Sequence, residues 1–159
     1  MSSEPREELI QKLNHAVREQ QNVVDEFDEA ACHVLGINRT DARCMDILDR
    51  AGRMTAGELA AASGLSSGAL TALLDRMERA GYVRRTHDTV DRRRVFVEMT
   101  DEARAAAEEI WGPIAEQALA GWDAYTDDQL RFILGFVEGA RDFLSAHIDR
   151  VRAMPPRRG

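Results

Sequence analysis

The chain has 159 residues, 44% of them hydrophobic and 31% charged, which is enough for one domain with additional helices. Its 21 Lys and Arg against 28 Asp and Glu leave a net charge of −7, the wrong sign for a protein that coats nucleic acid indiscriminately. No run approaches the ~18 consecutive apolar residues of a membrane span, and the charged start MSSEPREELI lacks the apolar core of a signal peptide.

The first element predicted is a long helix within residues 1–36. Leu9, Leu13, Ala16, Gln20, Val23, Phe27, Ala30 and Val34 alternate spacings of four and three with one polar member, a seam of coiled-coil type that Gly36 ends. A second helix is expected to start near Thr40 or Asp41, to carry Ala42, Met45, Ile47 and Leu48, and to stop at Gly52. Cys32 and Cys44 lie outside any CxxC spacing, which suits a reducing, cytoplasmic setting.

Residues 37–100 then read as a winged helix-turn-helix. Thr55 and Glu58 have capping-box spacing, and the short helix they start ends at Gly64. Ser66 caps the next helix, predicted over about 66–80, in which Leu70, Leu73, Leu74 and Met77 form one apolar stripe. Its other face carries Ser67, Gly68, Thr71, Ala72, Asp75, Arg76 and Arg79, small and hydroxylated in the first two turns. Such a helix fits a major groove, where Thr and Ala touch thymine methyls and Arg forks onto guanine.

Beyond Gly81 the period changes from 3.6 to 2, predicting a hairpin over about 82–99 with the loop THDTVDRRR. Arg92, Arg93 and Arg94 at its tip suit a narrow minor groove, and Asp91 is placed to orient a neighbouring arginine through a bidentate pair. Residues 66–99 hold seven arginines against five acids, so this stretch alone carries net positive charge.

Over 101–152, a helix started by Thr100 is expected to bend or break at Gly112 and Pro113. A capping box, Thr126 with Gln129, starts the last helix, whose stripe is Leu130, Ile133, Val137, Ala140, Leu144 and Ile148. The terminal helices are more apolar than a winged domain can cover, which predicts pairing with a second copy through Leu9, Leu13, Leu130, Ile133, Val137, Leu144 and Ile148. Residues 153–159 read as a flexible basic tail.

The run LLDRMERAGYVRR (73–85), then DRR at 91–93 and Thr100, resembles the MarR family of bacterial transcriptional regulators in order and spacing. The resemblance implies a mainly α fold with a small two- or three-stranded β wing and long terminal dimerisation helices. It implies base contacts from the helix starting at Ser66, a minor-groove contact from Arg93 oriented by Asp91, and release from DNA by a small effector that wedges between lobes. Two positions depart from the family pattern. Thr89 stands where many members have proline in the wing, and Ala103 where many have glycine.

The expected function is therefore a sequence-specific regulator of double-stranded DNA, a repressor acting as a homodimer on a pseudo-palindromic operator. Phe27 and Trp111, with Trp122 and Tyr125, are candidates to line a pocket for an aromatic effector, a class of ligand that the resemblance implies. Two alternatives stand beside this reading. One is a winged helix serving as a protein-interaction module without DNA binding; the other is a redox-sensing regulator using Cys32 or Cys44. No cofactor is called for: Cys32, His33 and Cys44 match no common zinc spacing. With no phosphate-binding glycine loop, HExxH or nucleophile elbow, an enzyme is not expected.

Overall fold

A computed structural model describes residues 4–89, 91 and 94–156. In chain order the elements are α1 (Arg6–Leu35), α2 (Arg39–Ala51), β1 (Arg53–Thr55), α3 (Ala56–Ser63), α4 (Ser67–Arg79), β2 (Val83–His87), β3 (Val95–Met99), α5 (Asp101–Trp122) and α6 (Asp127–Arg152). They fall into two compact units, Met1–Ile110 and Trp111–Gly159.

In the first unit, α1 ends where Gly36 takes a left-handed conformation, φ 65°, and its N–H closes onto the last turn. The last turn of α1 is buried at Ala31, Cys32 and Leu35, whereas Leu9 and Leu13 are exposed. The α2 helix starts earlier than Thr40 or Asp41. Asn38 is its cap, accepting from the Asp41 N–H at 3.0 Å while Asp41 accepts from the Asn38 N–H at 3.2 Å. This is an Asx version of the capping box, in which an aspartate replaces the usual Glu or Gln.

The two boxes expected from sequence are present: Thr55 with Glu58 on α3 and Thr126 with Gln129 on α6. Ser66 caps α4 by accepting from the Ala69 N–H at 3.3 Å. Leu70, Leu73, Leu74 and Met77 of α4 are buried with Cys44, Met45 and Leu48 of α2, Leu59 of α3, and Val83, Val97 and Met99 of the sheet. Ala103 is completely buried in the same core, so its methyl serves packing as well as helix propensity.

The sheet is three-stranded and antiparallel in the order β1-β3-β2. Val97 lies opposite Met54 on one side and Arg85 on the other; Phe96 lies opposite Thr55 and Thr86. Strand β1 has only three residues and no alternation long enough to read in sequence.

The α5 helix runs unbroken from Asp101 to Trp122 with Pro113 inside it. Of the bend or break expected at Gly112–Pro113, the break is absent: proline removes one helical hydrogen bond, and twelve residues of helix before it and nine after it sustain the rest. In the second unit, α6 has no buried residue.

Candidate DNA interface

The α4 helix turns its apolar stripe into the core, which leaves Ser66, Ser67, Gly68, Thr71 and Ala72 exposed along its first two turns. Thr71 satisfies its hydroxyl on the Ser67 carbonyl at 2.9 Å, so its methyl is the group best placed to meet an apolar partner. Gly68 has open space where a Cβ would stand. The surface is small, low and uncharged.

Charges begin one turn later, and each has a partner. Arg76 donates from Nε to Asp41 Oδ2 at 3.2 Å and from Nη2 to Asp41 Oδ1 at 2.5 Å. Asp41 is 1% exposed while the Arg76 side chain is 47% exposed. The sequence offered Arg76 as a base reader; the structure gives its fork a carboxylate of this same chain, and that pair raises the guanidinium's affinity for its proton. A contact 35 residues away leaves no periodic trace in the sequence.

Asp75 pairs with Arg85 of β2, Nη2 to Oδ1 at 2.6 Å, and Arg85 also reaches Glu78. One strand arginine thereby ties the wing to two successive turns of α4. Hydrogen bonding to Asp75 is the main cause of the raised Arg85 pKa. At the helix end, Gly81 is left-handed at φ 78°, and its carbonyl accepts from the Thr100 hydroxyl at 2.6 Å. Thr100 in turn accepts from the Ala103 N–H at 3.1 Å, so one threonine closes α4 and opens α5.

At the wing tip, the Asp91 N–H donates to Asp88 Oδ1 at 3.0 Å and the Asp91 carbonyl accepts from the Arg94 N–H at 2.9 Å. Asp91 therefore shapes the loop through its backbone. Arg92 and Arg93, and with them the expected Asp91–Arg93 pairing, lie outside the described residues. Arg94 lies over the Phe96 ring, 5.2 Å from its centroid, and Arg53 of β1 lies over the same ring at 4.6 Å. Arg53 was not among the residues singled out from sequence, because β1 is too short to reveal which face it presents.

The model of the MarR family matches residues 37–95, spanning α2 to the first residue of β3. HTH-type transcriptional regulator YcgE of Bacillus subtilis is 40% identical over 126 residues, covering 79% of this chain and 82% of that protein. The chain belongs to the MarR family. Its fold is also that of a MarR family protein from Bacillus stearothermophilus, with TM-score 0.64 at 18% identity over 89% of this chain and 99% of that one. A mutant MarR of E. coli, solved complexed with operator DNA, matches with TM-score 0.53 at 22% identity over 87% of this chain and 99% of that one. As a MarR-family member the chain is a transcriptional regulator with a DNA-binding winged helix and not an enzyme.

Among the described residues no cluster of His, Cys, Asp and Glu could hold a metal ion, and no helix is long and apolar enough to cross a membrane. Of the expected effector-pocket residues, Phe27 is half-buried on α1 and Trp111 is 36% exposed on α5. Cys32 and Cys44 are buried, and burial is the main cause that pushes both thiols above their ordinary pKa.

Proposed function

We propose that this MarR-family chain is a repressor that binds a pseudo-palindromic operator as a two-fold homodimer and is released by a small effector. The observation that carries the reading is the bare first half of α4, where Ser66, Ser67, Gly68, Thr71 and Ala72 are exposed and free of ion pairs beside an arginine-bearing wing. Small residues let the helix axis approach base edges closely, and the paired charges behind them hold the helix rather than reach for bases.

In this reading Arg93, with Arg92 and Arg94, supplies the minor-groove and phosphate contacts of the wing. Two such lobes about one duplex turn apart, ~34 Å, read two half-sites. The dimer is built from the terminal helices through Leu9, Leu13, Leu130, Ile133, Val137, Leu144 and Ile148. An effector seated near Phe27 or Trp111 changes the spacing of the lobes. The raised thiol pKa values favour this small-molecule switch over one based on Cys32 or Cys44, because the thiolate is the reactive form.

The test is a shift assay with the DNA flanking the chain's own gene, run with and without a panel of aromatic acids. The reading requires a retarded complex with two-fold stoichiometry, its dissolution by at least one acid, and a loss of about 1–3 kcal/mol in binding for Arg93→Ala. Binding without any steep dependence on salt, or to protein partners alone, would move the winged helix to the interaction-module class.

A further inference from the structure

The outer face of the wing sheet carries an arrangement that the reading above does not use. Alternation along β3 sends Val97 into the core, 1% exposed, and places Phe96 on the opposite face in register with Thr55 and Thr86. An aromatic ring on the solvent side of a three-stranded sheet would ordinarily be open to water. Phe96 is only 8% exposed, and two guanidiniums lie over it, Arg53 from β1 and Arg94 from the wing loop where it enters β3.

These two cations differ from their neighbours in charge balance. Among the described residues, Arg84 and Arg85 of β2 are neutralised by Glu98 and by Asp75 with Glu78, whereas Arg53 and Arg94 have no carboxylate within salt-bridge distance. The acids around them are already engaged. Glu98, in register with Arg53, accepts on Oε1 from Arg84 Nε at 2.8 Å. Glu58, whose carboxyl is held below the usual range chiefly by the Thr55 N–H and hydroxyl, feels Arg94 only at a distance. A guanidinium laid on a ring keeps its N–H groups in the plane of the fork and directed outward, the geometry that suits a phosphate oxygen.

We propose that Arg53 and Arg94, held on Phe96, form a phosphate clamp beside the wing loop that grips the DNA backbone. Arg53 is the new member. Strand β1 runs directly into α3, the first helix of the helix-turn-helix, so Arg53 is fixed to the same rigid segment that positions α4. The clamp gives affinity and register without reading sequence, as backbone contacts do. The ring's part is to hold both cations in place before DNA arrives, so that little side-chain freedom is lost on binding.

This inference rests on the proposed DNA-binding function, and the experiment separates the two. Binding of the full-length chain to a labelled random-sequence duplex, and to the duplex flanking its own gene, is followed by anisotropy over a salt series from about 50 to 200 mM. For Arg53→Gln the slope of log K against log salt is expected to become shallower by about 0.9, the value of one phosphate contact. Both duplexes are expected to lose affinity by the same factor. Phe96→Leu keeps both charges and is expected to weaken binding to both duplexes, its folding verified by circular dichroism and its melting midpoint.

An unchanged slope for folded Arg53→Gln, in a wild-type chain that binds, overturns the clamp and leaves the proposed function standing. Loss confined to the gene-flanking duplex also overturns it, because that pattern belongs to base reading. A wild-type chain that binds neither duplex removes the proposed function and the clamp together.

Discussion

Arg76 and Asp41 are 35 residues apart in sequence and joined by two hydrogen bonds, and the carboxylate is buried while the guanidinium is half in solvent. Asp41 Oδ2 also accepts from the Asn38 N–H, so one carboxylate caps α2 and anchors α4. This fixes α4 against the helix that follows α1. Removing Arg76 strands a buried charge. Fully buried pairs lose about 3–5 kcal/mol in that situation, and solvent around Arg76 lowers the figure to about 2–3 kcal/mol for Arg76→Ala. Urea unfolding at fixed protein concentration measures it, and Arg76→Lys should recover little because an ammonium cannot reproduce the bidentate fork. A double-mutant cycle with Asp41→Ala should return a coupling of at least about 0.5 kcal/mol; additive losses would show that the pair holds nothing.

How much of this was legible in sequence follows from the range of each interaction. Local devices were readable: the Thr55–Glu58 and Thr126–Gln129 boxes, the Ser66 cap, the stop at Gly36 and the stripe from Leu70 to Met77 are each set within about two helical turns. The Asn38 cap was missed because Thr40 and Asp41 are themselves good cap residues and Asn–Asp is a less usual pair for a capping box. Of the bend or break expected at Pro113, the break does not occur, because a lone proline in a long helix costs less than abandoning it. Pairings across the fold, Arg76–Asp41 and Arg53–Phe96, carry no spacing signal at all.

Tyr82 gives a second prediction. Its hydroxyl donates to the Leu35 carbonyl at 2.7 Å, linking the corner between α4 and β2 to the last turn of α1. Leu35 O belongs to the group of end-of-helix carbonyls that lack an intrahelical partner. Tyr82→Phe removes this bond with almost no change in shape, so stability should fall by about 1 kcal/mol. A thermal midpoint equal to that of the unmodified chain would mean that water replaces the hydroxyl at no loss.

The two thiols set an alkaline limit. Burial raises the Cys44 pKa, opposed in part by a hydrogen bond with Ser63, and burial with the nearby Asp28 charge raises that of Cys32. A group whose pKa is higher folded than unfolded contributes stability that is complete below the unfolded value, about 8.5 for a thiol, and lost as pH rises through the folded value. Urea midpoints should therefore decline as pH climbs past that point, and Cys44→Ala should flatten the decline. Thiol reagents should label the native chain far more slowly than the unfolded one. Rapid labelling of either cysteine at neutral pH would restore the redox reading.

The strongest demand for a partner comes from α6. The expected stripe is incomplete as a description of it. Val137, Leu144 and Ile148 are exposed, Leu130 and Ile133 are half-buried, and Phe132 at 77% and Phe143 at 64% stand outside that stripe altogether. A helix apolar on more than one face is stable in water only when something covers it. If the cover is a second copy, the melting midpoint rises with protein concentration, since association stabilises only the folded chain. Val137→Asp and Leu144→Asp then place a charge in the seam and should halve the mass seen by sedimentation equilibrium, while the far-ultraviolet spectrum of the winged unit persists. A mass that stays at two chains in both variants would take α6 out of the interface.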